Sequence, residues 1–297
     1  MDEETVRRLV KGVLGEDAKD VQHQPFGHHS VTYDVALPNR RVMVRMHPDR
    51  RTFEGTAHNF ETLRALGVPV PDIVRIDTTL GAFPFAYSIL ERIEGRDLRY
   101  ELAGMTAGQI DALVRRLVQF QRAVGQLPVG DRYGWATIGS RGAHSWWAAV
   151  VETNRIAWPD SPYAEPLRRL LVRYRPTFDA IPPTCFLDDI TTKNVIVHNG
   201  ALAGIVDLDV VCYGDPMYML GLTATAVIAD LGPGQMRYVE ALRGAWEVTE
   251  SQYRRACLYS ALLAMDFIGR DVAASAAWTA RMNHAIERWM AVADQAP

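Results

Sequence analysis

Residues 185–216, CFLDDITTKNVIVHNGALAGIVDLDVVCYGDP, constrain the fold more than any other part of the chain. Two apolar runs, Val195-Ile196-Val197 and Ile205-Val206, flank a His198-Asn199-Gly200 turn. Short apolar runs joined by an Asn-Gly turn predict a pair of strands. Asp189 precedes the pair, with the amide Asn194 five residues further on, and Asp207-Leu208-Asp209 follows it. Taken alone, an acid-rich turn between two strands is also what a solvated surface hairpin looks like. The order of acid, amide, strand pair and second acid points further.

That order suits phosphoryl transfer. Such chemistry needs a carboxylate to orient an acceptor hydroxyl and take its proton. It also needs hard oxygen ligands for magnesium, which takes few protein ligands and keeps waters and phosphate oxygens. In the kinase arrangement the loop acid is the base, the amide five residues on binds one ion, and an acid past the next strand binds the other. Those roles fall on Asp189, Asn194 and Asp207. Gly214-Asp215-Pro216 closes the run and reads as a helix start, with Asp215 at the N-cap and Pro216 in the first turn.

On these residues the chain resembles the aminoglycoside phosphotransferase and choline kinase-like superfamily. Its members read H-G-D-x-x-x-x-N, a strand, then I-D and G-D-P; the matches are Asp189, Asn194, Asp207, Gly214, Asp215 and Pro216. Leu187-Asp188 stands where that family has His-Gly, a departure at a residue that braces the loop. The resemblance implies an α+β, two-lobed protein kinase-like fold with a small β-rich N-lobe and a larger, mainly helical C-lobe. It implies ATP as cofactor, with GTP open because the hinge reads through backbone atoms, and magnesium. The expected reaction is transfer of the γ-phosphate to a hydroxyl of a small molecule. The partners are then the nucleotide and a small hydroxylated acceptor. The departure before Asp189 leaves a second reading, a nucleotide-binding pseudokinase acting through partners.

The rest of the sequence divides accordingly. Alternating runs at 31–37 and 41–46 around Pro38-Asn39-Arg40 predict a hairpin, and 72–77 and 83–93 predict two further strands. Phe60, Leu63 and Leu66 lie at helical spacing over 53–66, stopped by Gly67 and Pro69. From about residue 106 the chain is rich in Ala, Leu, Arg and Gln. This gives residues 1–92 as the nucleotide-binding N-lobe and 93–297 as the C-lobe with the catalytic loop and acceptor site.

For the nucleotide, Gly27, His28 and Ser30 form a glycine-poor turn whose backbone amides suit phosphate as well as they suit an ordinary hairpin. Lysine occurs only at 11, 19 and 193, so the phosphate-holding cation on the following strand falls to Arg45. The position on the next helix that matches the family's glutamate is Asn59; Glu61, or Glu54 in a shifted register, is then the candidate partner of Arg45, against an ordinary exposed helix glutamate. Tyr87 to Gly95 resembles the interlobe hinge, with adenine expected on backbone groups near Glu91 and Ile93. A softer resemblance, to fructosamine kinase-like members, covers 133–139 and Trp146-Trp147. It offers Trp146 as an aromatic platform for the acceptor, against an ordinary core role. Asp266, a lone acid in an apolar run, is the candidate for binding a cationic acceptor group, against capping or a buried structural ion pair.

The bulk properties exclude several classes. With 48% hydrophobic and 23% charged residues and a net charge of −3, nothing favours nucleic acid or an anionic membrane. The first twenty residues form an amphipathic pattern without the features of a signal peptide, and no apolar run approaches the ~20 residues of a membrane span. Cys185, Cys212 and Cys257 are scattered in apolar settings and read as buried thiols, so a cytoplasmic location is expected.

Overall fold

The computed structural model describes residues 1–25, 30–129, 132–140, 142–152, 156–271 and 273–295. The chain divides into two compact units: 1–94 with 204–210, and 95–203 with 211–297. The return of 204–210 to the first unit has no counterpart in a single cut at 92/93.

The first unit begins with α1 (Glu3–Leu14). Asp2 caps it by accepting the Thr5 N–H at 3.0 Å, and Gly15, at φ 72°, ends it. There follow β1 (Asp20–Gln24), β2 (Val31–Ala36), β3 (Arg41–His47), α2 (Arg51–Glu54), α3 (Thr56–Ala65), β4 (Ile73–Asp77) and β5 (Ala86–Glu91). The helix expected over 53–66 is thus broken at Gly55 into α2 and α3. The strands form one antiparallel sheet in the order β1-β2-β3-β5-β4. Strand alternation sends Val42, Val44 and Met46 to one face, where they pack with Val6, Leu9 and Val10 of α1 and with Tyr87 and Ile89 of β5. Met43 and Arg45 therefore belong to the opposite face, and Arg45 is paired in register with Ser88.

The second unit contains β6 (Arg96–Asp97), α4 (Leu98–Glu101), α5 (Ala107–Val124), β7 (Gly134–Ala136), α6 (Ala164–Asp179), β8 (Thr184–Phe186) and β9 (Val195–His198). The turn Asn199-Gly200, both residues at positive φ, leads into β10 (Ala201–Ile205), along which the chain leaves this unit. It re-enters with β11 (Val211–Gly214), followed by α7 (Met217–Asp230), α8 (Arg237–Ala245), α9 (Glu250–Arg270) and α10 (Ala276–Ala293). Strand β11 lies between β7 and β8. Helices α5 and α9 each start with a full capping box, Thr106 with Gln109 and Thr249 with Gln252. Helix α7 is buried along nearly its whole length and packs against α9, which also packs against α10. Among the described residues no helix is long and apolar enough to cross a membrane.

Candidate active site

The loop between β8 and β9 belongs to the second unit and is held at several points. Gln121 of α5 grips the backbone of Leu187 twice: its Nε2 donates to the Leu187 carbonyl at 2.7 Å, and its Oε1 accepts the Leu187 N–H at 3.0 Å. Both residues are buried. This pair does the bracing that the Leu187-Asp188 departure put in question. Asp188 itself accepts the indole N–H of Trp135, on β7, at 2.5 Å.

Further along, the Thr191 hydroxyl donates to Asp189 Oδ1 at 2.9 Å, and Asn194 Nδ2 donates to the Asp189 carbonyl at 2.8 Å. The first bond orients the carboxylate. The second fixes which way round the Asn194 amide sits, because only its nitrogen can donate. Asn194 Oδ1 is left without a partner among the described residues, and it is the hard oxygen that magnesium prefers. Lys193 is drawn away from the loop into an ion pair with Asp230 at 3.1 Å.

In the first unit, Arg45 is a buried guanidinium between two acids. Its Nη2 donates to Asp207 Oδ1 at 3.0 Å and to Asp209 Oδ2 at 2.5 Å, and its charge lies 5.2 Å from the centre of the Phe53 ring. Burial alone would push the Arg45 pKa down; the pull of Asp209 and then Asp207 outweighs it and holds the group above its ordinary value. The two acids are held differently. Asp209 is enclosed, with Thr56 Oγ1 donating to Oδ1 at 2.5 Å and Asn59 Nδ2 donating to its backbone carbonyl at 2.6 Å. Asp207 stands in the left-handed region at φ 62°, its side chain is 47% exposed, and its Oδ2 has no partner among the described residues. An exposed acid with a free oxygen suits a divalent cation; a saturated one does not.

Three expectations need correction. Glu61 is exposed on α3 and does not pair with Arg45, whose anions come from 150 residues and more along the chain. On the helical face that meets Asp209 stand Thr56 and Asn59, and Glu61 points away from it. Trp146 is not an accessible platform. It is fully buried, its Nε1 donates to Tyr259 Oη at 2.8 Å, and Tyr218 and Phe186 meet its ring edge-on. Asp266 has its oxygens occupied: Oδ1 accepts the Ala157 N–H at 2.6 Å and Oδ2 accepts Arg270 Nε at 2.8 Å, so it is a structural acid.

The remaining positions are distributed as follows. Ser30 Oγ lies 3.3 Å from Thr32 Oγ1, while Gly27 and His28 fall outside the described residues. At the hinge, Glu91 spends its N–H on the Asp72 carbonyl and its carboxylate on Arg40. The Ile93 N–H donates to nothing among the described residues. Asp215 accepts the Met217 N–H at the start of α7 at 3.1 Å, but the N-cap position itself falls on Pro216, one residue later than expected. Its other oxygen takes Arg255 Nε and Tyr259 Oη at 2.7 and 3.0 Å. The cysteines are buried and free; burial pushes the thiols of Cys185 and Cys257 up to about 12, so neither is a nucleophile at neutral pH. The sequence alone does not point to Gln121, Thr191, Thr56 or the Trp135–Asp188 pair, and it assigns Asp209 no role.

Known proteins resemble this chain over most of its length. Residues 22–259 match the family described as phosphotransferase enzyme family (APH). No curated protein matches the chain. Among solved structures, a thermostable mutant of aminoglycoside phosphotransferase APH(4)-Ia, in ternary complex with AMP-PNP and hygromycin B, superposes with a TM-score of 0.72 at 15% identity. The match covers 98% of this chain and 100% of that one. The GDP complex of aminoglycoside 2'-phosphotransferase-IIIa gives 0.68 at 15% identity, covering 97% of each chain. ADP-bound APH(2'')-Ib gives 0.63 at 13%, covering 99% of each. The fold is theirs, a mixed α+β kinase-like architecture, and the profile spans most of the chain. This protein therefore belongs to the phosphotransferase enzyme family.

Proposed function

We propose that this protein is a magnesium-dependent kinase that moves the γ-phosphate of ATP or GTP to a hydroxyl of a small molecule. The observation that carries the reading is the Asp189 loop, where Thr191 holds one carboxylate oxygen and Asn194 grips the backbone carbonyl of the same residue. Asp189 accepts the proton of the acceptor hydroxyl as its oxygen bonds to the γ-phosphorus. The bond from phosphorus to the bridging oxygen breaks, and the nucleoside diphosphate leaves with that oxygen. The gain comes from positioning and from neutralising charge on the phosphate oxygens. Magnesium, when bound, supplies part of that neutralisation. Each unit offers a hard, unpartnered oxygen suited to such an ion, Asn194 Oδ1 in the second and the free Asp207 oxygen in the first. Arg45 supplies a permanent cation for the phosphates. The free N–H of Ile93 suits a base edge, and a backbone donor serves adenine and guanine alike.

The family's solved members in complex with AMP-PNP and hygromycin B, ADP or GDP make aminoglycosides and other amino-sugars the first acceptors to try. The test is transfer of labelled γ-phosphate from ATP and GTP, with magnesium, to aminoglycosides, ketosamines, amino-sugars, macrolides and choline. Asp189→Asn should lose about 10²- to 10⁴-fold in kcat while keeping nucleotide affinity. Equal turnover by wild type and Asp189→Asn would sink the assignment. Nucleotide binding without transfer to any acceptor would favour the pseudokinase reading.

A further inference from the structure

We infer that Asp209 is a positioning residue: it is the fixed anchor of Arg45, in place of a helix glutamate, while Asp207 holds Arg45 only until a metal and phosphate arrive. The inference rests on the nucleotide reading above and deepens it.

A guanidinium that is only 8% exposed needs an anion. Helix α3 offers none at the face that meets this cluster, where Thr56 and Asn59 stand. Both of those residues instead act on Asp209, one on its carboxylate and one on its carbonyl. Asp209 is thus tied at Oδ1, at Oδ2 and at its backbone oxygen. Turning it toward a metal would strand a buried hydroxyl and a buried cation together. Asp207 differs, since it has one oxygen on Arg45, one free, and an exposed side chain.

The donors of Arg45 divide in the same way. Nη2 makes both ion pairs, whereas Nε and Nη1 have no partner among the described residues. Arg45 can therefore stay tied to Asp209 through Nη2 and still donate to phosphate oxygens from Nη1 and Nε. Release of Asp207 from Nη2 frees that acid for the cation that accompanies the phosphates.

The experiment is titration of ATP into wild type, Asp209→Asn, Thr56→Val and Asp207→Asn by calorimetry, in EDTA and in excess magnesium, with circular dichroism to confirm folding. In EDTA only the Arg45 side of the site is read. Losing a nearby negative charge would by itself tighten the binding of a polyanion, so Asp207→Asn should bind at least as well as wild type. Asp209→Asn should do the opposite and weaken ATP by about tenfold or more, because Arg45 loses its anchor. Thr56→Val, which removes only a hydroxyl, should weaken it by about three- to tenfold and decides the matter should Asp209→Asn fail to fold. If folded Asp209→Asn or Thr56→Val binds as tightly as wild type or tighter in EDTA, the anchoring role is overturned while the nucleotide reading stands. If wild type binds neither ATP nor, in a parallel titration, GTP in either medium, the nucleotide reading fails and the anchoring role falls with it.

Discussion

Gln121 holds the proposed catalytic loop from a position remote from the chemistry. Gln121→Met keeps volume and removes both hydrogen bonds to Leu187, 66 residues away. The stranded Leu187 N–H and C=O are buried, and each unsatisfied group costs about 1–3 kcal/mol, roughly 2–6 together. Against a total stability of about 5–15 kcal/mol, the variant should fold with a clearly lowered urea midpoint. Leu187 lies two residues before Asp189, so the loop should loosen as well, and a displacement of the base by ~1 Å would lower kcat by about 100-fold. Gln121→Glu sharpens the test. It keeps an acceptor for the Leu187 N–H but sets a carboxylate against the Leu187 carbonyl, in a buried site. Burial and that carbonyl both favour the protonated acid, so its folded-state pKa rises above the ordinary value of about 4.3. Stability is then fully present below about pH 4.3 and falls as pH rises through the raised folded value. Relative to wild type, Gln121→Glu should be more stable at pH 5 than at pH 7.5 in urea titrations. A Gln121→Met protein with wild-type midpoint and wild-type kcat would refute the bracing role.

Three further predictions follow from the same geometry. Gly214→Ala sets a methyl 2.1 Å from Trp146 Cε3 at a backbone φ of 154°, and Trp146 is tied to Tyr259, so thermal melting should fall by roughly 5 °C or more; an unchanged melting temperature would contradict the packing. Burial raises the folded-state pKa of Cys257 to about 12, so its contribution is complete below the unfolded value near 9 and drains away between there and about pH 12, at roughly 1.4 kcal/mol per pH unit. Cys257→Ala should flatten the alkaline limb of the stability curve, and an identical limb would be evidence against it. Asn194→Ala should abolish most of the gain in nucleotide affinity that magnesium brings and leave affinity in EDTA unchanged; a magnesium effect equal to that of wild type would remove Asn194 from the metal site.

The parts of this molecule that could be read in advance are those written in local pattern. Asp189 and Asn194 lie five residues apart, and the Asn199-Gly200 turn needs only its own φ values. The alternation in β3 sorts Val42, Val44 and Met46 from Arg45 without any tertiary knowledge. Most of the rest depends on distant partners. Helix position alone points to Glu61 as the partner of Arg45, but the anions arrive from Asp207 and Asp209. Gln121 looks like an ordinary polar residue in an amphipathic helix until Leu187 is brought to it. Trp146 and Asp266 carry the side-chain chemistry of an acceptor site, yet each is consumed by the interior, one as packing and one as a hydrogen-bond acceptor. Burial of a lone acid predicted a partner correctly; it did not say that the partner would be Arg270 and a backbone amide.

The interrupted course of the backbone has a consequence for how the protein is made. Residues 1–94 contain Arg45, Phe53, Thr56 and Asn59, but the acids that neutralise the arginine are encoded 162 and 164 positions later. At about 5–20 residues per second, roughly 10–30 s of synthesis separate the cation from its counter-ions. Throughout that interval the nascent sheet either keeps the guanidinium hydrated, leaving that face unfinished, or buries an uncompensated charge. The first unit to emerge from the ribosome is therefore completed only once residues 204–210 have followed the whole of 95–203, and a nascent chain stalled before residue 207 should expose its β3 face to chaperones and proteases.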